Sequence, residues 1–273
     1  MFSPSVTANT ATSLFRQMDL IYHAAVRHVR KSHGNAIIGL VMNMMQTVMM
    51  IVVFYIMYKV LGLTSMRVRG DFVLYIMSGI FLFMTHTRTL GAVSSADGST
   101  SAMMKHAPMN PIVSVLSAAL GTLYVQLLSM GLVLGVYSLS FHPVSIADPV
   151  GAMAMVLLAW SSGIGIGLLF RALRPWQPDL ATIATLIFMR ANMVASGKMF
   201  VANSLPPRIR GYFSWNPLFH TIDQCRGFVF ENYTPHFTST LYPVYVTLAC
   251  LMIGLIAEFY TSQHASVSWE MGR

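Results

Sequence analysis

Charge is scarce in this sequence: 10% of its 273 residues are Asp, Glu, Lys or Arg, against roughly 25% in a soluble domain. That deficit, beside a 55% hydrophobic content, excludes an ordinary water-soluble domain and makes lipid the solvent. Acids are the scarcer sign, nine against seventeen bases, for a formal charge of +8. In a soluble protein this excess would point to nucleic acid. In a membrane protein it decorates cytoplasmic loops and meets anionic headgroups, so no nucleic-acid partner is expected. The two cysteines, Cys225 and Cys250, are too few for a disulfide framework and lack metal-type spacing. No basic stretch followed by an apolar core opens the chain, so no cleavable signal peptide is expected.

Catalytic motifs are missing as well. There is no phosphate loop; the nearest approach, Ser196-Gly197-Lys198-Met199, lacks the first glycine and the hydroxyl. No HExxH, CxxC or GxSxG appears. His23, His28 and His33 recur every five residues, which scatters them around a helix and argues against shared metal ligation. No catalytic residue, metal site or cofactor is therefore assigned to this chain. Proton-driven carriers hold a carboxylate deep in the membrane. Here the acids lie outside the apolar runs, near their ends, or in the stretch after Trp215.

What is present is a series of six apolar runs: 36–58, 72–93, 112–141, 150–170, 180–201 and 241–260. Each is long enough to cross about 30 Å of hydrocarbon at about 1.5 Å per residue. His86 and Arg88, late in the second run, are expected at an interface. Six crossings put both termini on one side. Nine Lys and Arg fall on that side and six on the other, which predicts cytoplasmic termini. Asn110-Pro111, Asp148-Pro149 and Asn216-Pro217 each place a capping side chain before a proline, as at a helix start. Gly131/Gly135 and Gly163/Gly167 carry the GxxxG spacing of close helix contact.

Three segments fall outside this pattern, and one residue inside it does. Ser13 to Lys31 is amphipathic, with Leu14, Met18, Ile21, Ala25 and Val29 on one face and Arg16, Asp19, His23, Arg27 and Arg30 on another. It predicts a helix lying in the headgroup plane, or a solvated helix packed on another subunit. Between the second and third runs, 99–107 reads as a short helix displaying Met103, Met104, Lys105 and His106, a handle for a partner or a solvated turn. Arg190 sits near the middle of the fifth run, where an arginine costs about 2.5–3.5 kcal/mol. It predicts a hydrated cavity, a subunit interface, or an interrupted helix that ends near headgroups.

The third segment is Trp215 to Tyr233, WNPLFHTIDQCRGFVFENY. With Asn216 as cap, a helix runs to about Glu231, too short to cross at about 1.5 Å per residue. Leu218, Ile222, Cys225 and Val229 share one face. His220, Asp223, Gln224, Gly227 and Glu231 form a polar stripe, and Asp223 is placed to pair with Arg226 three residues on. A re-entrant or interfacial helix fits, preceded by the turn Ser204-Leu205-Pro206-Pro207.

These residues carry a resemblance. Arg27-His28-Val29-Arg30 with Gly34 and Gly39, Arg88-Thr89-Leu90-Gly91-Ala92, Met104 to Pro111, and above all Pro206-Pro207 followed by Trp215 to His220, Arg226-Gly227 and Tyr233 resemble the permease subunits of type 2 ABC exporters, in the capsular-polysaccharide and O-antigen branch. The residues after Gly39, Leu40-Val41-Met42, depart from the aromatic pair that members often carry there. The resemblance implies an all-α polytopic membrane protein: residues 1–35 a cytoplasmic N-terminus with an interfacial helix, 36–261 six transmembrane helices, and 262–273 a cytoplasmic tail. A coupling region would lie at about 95–110 and a re-entrant segment at about 204–233. It further implies a homodimer in the bacterial inner membrane, bound to two copies of a cytoplasmic ABC ATPase that alone holds ATP and Mg2+. Periplasmic or outer-membrane export components and a glycolipid or polysaccharide substrate complete the expected partners. Met103, Met104, Lys105, His106 and Met109 would meet the ATPase. Tyr22, Arg27, Arg30 and Arg88 would border the cytoplasmic entrance. Arg190, Trp215, His220, Asp223, Arg226 and Glu231 would shape the path and its periplasmic end. A type 2 permease for a drug or lipid, and a non-transporting membrane scaffold, are the alternatives.

Overall fold

The computed structural model describes residues 36–62, 70–96 and 111–264. Among them all regular structure is helical and no strand occurs. The helices are α1 (Ala36–Val60), α2 (Phe72–Ser94), α3 (Pro111–Ser140), α4 (Pro149–Leu173), α5 (Pro178–Ala195), α6 (Pro207–Arg210), α7 (Pro217–Val229) and α8 (Leu241–His264), with a 3-10 turn at Ala202–Ser204. Five of them, α1, α2, α3, α4 and α8, are long and apolar enough to cross a membrane. The chain is thus an α-helical polytopic membrane protein. The interfacial helix at Ser13 to Lys31, with Tyr22, Arg27 and Arg30, and the coupling residues Met103, Met104, Lys105, His106 and Met109 lie outside the described residues.

The starts follow from side-chain caps. The Asp71 carboxylate accepts from the amides of Val73 and Leu74, and that of Asp148 from Val150 and Gly151. Each satisfies donors that the first helical turn leaves unpaired. The fifth apolar run behaves differently from its composition. It forms only the 18 residues of α5, about 27 Å, and stops at Ala195 rather than running to Val201. Gly197 is the reason: its φ of +71° is left-handed backbone. A Cβ there would also lie 2.4 Å from the Phe219 ring.

At the centre of the bundle stands α2, buried almost along its whole length. One face of α4 closes on α2 where Gly163 and Gly167 remove side chains: a Cβ would come within 2.6 Å of the His86 carbonyl and 3.0 Å of the Leu90 carbonyl. The other face meets α8, with Gly165 against Cys250 and Gly254 against Leu168. The order of these contacts along the chain makes α2, α4 and α8 run in the same direction. Gly131 and Gly135 of α3 have nothing within 4 Å, so that pair makes no close helix contact within the chain. His86, expected at an interface, is wholly buried against α4, with Nδ1 2.8 Å from Ser162 Oγ. Its polarity is met by protein rather than by headgroups. The outer faces of α1 and α8 expose residues such as Met45, Met49, Val52, Leu248, Met252 and Ile256. Apolar surface on that scale suits lipid.

Candidate functional site

After α5 the chain turns back into the end of the bundle where α2, α4 and α8 begin. Asn216 anchors it there. Its side-chain oxygen caps α7 at Leu218 N (3.0 Å), while its amide donates to Asn192 Oδ1 (2.7 Å) and the Ala195 carbonyl (3.1 Å). One residue thus starts α7 and fastens it to the end of α5. The 13 residues of α7 span about 20 Å. At its far end the amides of Ala147 and Asp148, which lead into α4, donate to the carbonyls of Val229 and Phe228. Phe230 fills the space above Gly70, at the approach to α2.

Arg226 makes three hydrogen bonds in this region. Its side chain is 0% exposed. Nη1 donates to the carbonyls of Gly197 (3.1 Å) and Phe200 (2.7 Å), and Nη2 donates to that of Lys198 (2.6 Å). The planar fork of an arginine suits such a set of carbonyls, which a lysine could not span. Gly79 of α2 makes the room, since a Cβ there would sit 2.9 Å from Nη2. Arg226 therefore holds the 197–200 turn against α2 and does not pair with Asp223, as helical spacing suggested.

Asp223 has a different set of partners. It is 1% exposed and accepts from Ala202 N (3.0 Å), Tyr233 OH (2.7 Å) and Thr238 Oγ1 (2.9 Å). Burial, and then the Asp223 charge, raise the Tyr233 phenol above its ordinary value. The proton stays on tyrosine and donates to the carboxylate. His220 bridges two loops: Ser239 N–H donates to its Nδ1 (3.1 Å), so Nε2 carries the proton and donates to the Ser214 carbonyl (2.8 Å). Burial lowers its pKa from the ordinary histidine value. Gln224 donates to the carbonyl and hydroxyl of Thr238. Burial pushes the Cys225 thiol up to about 12, which leaves it inert. Of the polar stripe read from the sequence, His220, Asp223 and Gln224 are thus engaged by the chain's own 196–240 segment, while Glu231 is exposed.

Three buried polar atoms here have no hydrogen-bond partner among the described residues, Ser196 Oγ, Arg226 Nε and Lys198 Nζ, and of these only Lys198 is a whole charged group. It is 3% exposed, and its Nζ has no hydrogen-bond partner among the described residues. The ammonium lies 3.5 Å from the ring centre of Phe83 and 5.0 Å from that of Phe54. Burial pushes its pKa down to about 7.

Of the remaining sequence-derived residues, Trp215 and Glu231 are exposed at the ends of α7, and Trp215 contributes only its carbonyl, which accepts from Tyr242 OH (2.7 Å). Arg190 is exposed on α5, five residues before the helix ends. Arg88 is half-buried and donates to Gln46 of α1. The structure therefore brings His220, Asp223 and Arg226 into one bonded frame and leaves Arg190, Trp215 and Glu231 on its outside. Sequence reasoning missed Asn192, Lys198, Gly79 and Thr238. Two left a signal: Gly79, a lone glycine in an apolar run, and Lys198, a charge that interrupts the fifth run. Among the described residues no three His, Cys, Asp or Glu gather as a metal would require.

Comparison of the chain with profiles of known protein families gives no match, and comparison with proteins of curated function gives none either.

Proposed function

We propose that this chain is the membrane-spanning subunit of a type 2 ATP-driven exporter that carries a capsular or other surface polysaccharide, attached to lipid, across the bacterial inner membrane. The observation that carries the reading is the fold-back at 196–240: a polar, non-crossing segment whose buried side-chain polar atoms are bonded within the described residues except Ser196 Oγ, Lys198 Nζ and Arg226 Nε. Irregular backbone at membrane depth is tolerated when protein covers it, and Arg226 and Asp223 supply that cover. On this reading α5 is a sixth crossing and α7 is a re-entrant helix at the periplasmic end. Arg190, Trp215 and Glu231, exposed on one copy, face the path or a second copy of the chain. Residues Met103 to Met109, on the opposite side, meet the ATPase, whose ATP and Mg2+ power the cycle. On this reading hydrolysis belongs to that separate subunit, in keeping with a sequence that carries no phosphate loop.

The test is native purification of the tagged chain together with deletion of its gene. An ATP-hydrolysing subunit is expected to co-purify, and lipid-linked glycan is expected to accumulate in the cytoplasm of the deletion strain. Recovery of the chain without any ATPase would overturn the transport reading. A bound ATPase with normal surface glycan in the deletion strain would assign a drug or lipid as cargo instead.

A further inference from the structure

At the end of the bundle opposite the fold-back, one ion pair is buried among the described residues. Arg171, in the last turn of α4, lies with Nη1 3.1 Å from Glu258 Oε1 of α8, their side chains 3% and 12% exposed. Its Nε donates to the carbonyl of Ala96 (3.4 Å), the last described residue after α2. The chain then leaves for 97–110. A guanidinium suits this position, because the carbonyl ends of α2 and α4 both present partial negative charge there.

Adhesion between α4 and α8 does not need this pair. Gly165 packs on Cys250 and Gly254 on Leu168. Beyond the pair, Trp176 donates to Thr261 Oγ1, Thr261 donates to the Ala172 carbonyl, and the Trp176 and Tyr260 rings stack at 6.3 Å. Taking two charges out of water is a poor route to stability when apolar packing already serves. What the pair adds is reach: it ties the departing end of α2 to the other two helices.

We propose that Arg171 and Glu258 are positioning residues for energy coupling, fastening the root of segment 97–110 to α2, α4 and α8 so that a displacement of that segment moves three helices as one body. The proposal rests on the reading of 97–110 as the ATPase-contacting region. Because α2, α4 and α8 run in the same direction, their far ends are where the fold-back is seated. A push at Ala96 is therefore delivered to the frame around Arg226 without a flexible joint between them.

The experiment uses the complete complex in native membranes and reads three quantities: ATPase co-purification, ATP hydrolysis per complex, and glycan at the surface. Arg171→Gln is expected to keep the first two within twofold of wild type and lower the third at least tenfold. Arg171→Lys, which keeps the charge opposite Glu258, should recover part of the export. Glu258→Gln should repeat the uncoupling, and it carries the test if Arg171→Gln does not accumulate. Export within twofold of wild type in the accumulating variant overturns the proposal, and so does loss of hydrolysis in step with export. Failure of the wild-type chain to bring down any ATPase would instead overturn the reading on which the proposal stands.

Discussion

The guanidinium carbon of Arg226 lies 4.2 Å from the ring centre of Tyr75, so the one cation that binds the 197–200 carbonyls is also stacked on the central helix. Ring and carbonyls together replace the water an arginine loses on burial. Arg226→Met should leave three buried carbonyls without these donors and cost about 3–5 kcal/mol. Arg226→Lys should recover little, since an ammonium lacks the fork. Thermal unfolding of the purified protein in detergent checks both; a loss under about 1 kcal/mol for either variant would remove Arg226 from the role of brace.

Asp223 holds the other side of the same frame, and its test is a single-atom change. Asp223→Asn keeps the volume but offers one acceptor oxygen in place of two and adds an amine near donors. Ala202 and Tyr233 share Oδ1 while Thr238 donates to Oδ2, so an amine at Oδ2 removes the acceptor of the Thr238 hydroxyl. The expected loss is about 1–3 kcal/mol. Tyr233→Phe should cost less alone, and the two changes together should cost less than their sum because they share one bond.

How the frame relates to the sequence is clearest in these two residues. The cap at Asn216 and the short length of α7 were both legible, because each depends only on neighbours in the chain. The partners of Asp223 and Arg226 were not. Spacing of three residues brings the two side chains onto adjacent helical positions, but Ala202, Tyr233 and Thr238 compete for the carboxylate, and the carbonyls of 197–200 compete for the guanidinium. Those competitors come from loops that no periodicity describes. The stop of α5 was legible in principle, since Ser196-Gly197 is a helix-ending pair, but the apolar residues beyond it concealed the break. His86 reads as an interfacial histidine by its place in the run and is buried because Gly163 lets α4 approach. The α class and the crossing length of α1, α2, α3, α4 and α8 follow from the apolar runs; the shortening of the fifth run to α5 and the seating of the fold-back do not.

Lys198 provides a prediction with the opposite sign. Desolvating an ammonium costs several kcal/mol, and two ring faces return roughly 2 kcal/mol or somewhat more. The balance is unfavourable, in keeping with the fall of its pKa to about 7 by burial. Lys198→Met fills the same space without charge and is expected to stabilise the protein by about 1–2 kcal/mol. A destabilised Lys198→Met protein would mean that the amine has a bonding partner that the described residues do not supply.

Helix spacing at α4 is testable by a matched pair of glycine substitutions. Gly167→Val drives a side chain into the Leu90 carbonyl and Val93, and overpacking of this kind costs about 1–3 kcal/mol. Gly135→Val meets open space and should leave the stability of the chain within about 0.5 kcal/mol of wild type. Equal effects at the two positions would contradict the packing of α4 on α2.

Acid should loosen the fold-back through His220. Its Nδ1 must stay unprotonated to accept from Ser239, and burial lowers its pKa below the ordinary 6.5. A group depressed in the folded state contributes stability that is fully present above its unfolded pKa and is lost as pH falls below that value. The stabilisation is therefore complete above about pH 6.5 and declines as the pH drops toward the lowered value. Wild-type protein in detergent should lose thermal stability between pH 7 and pH 5 more steeply than His220→Gln, which removes this titration while keeping a polar side chain. Parallel slopes for the two proteins would show that His220 is not the group whose protonation matters.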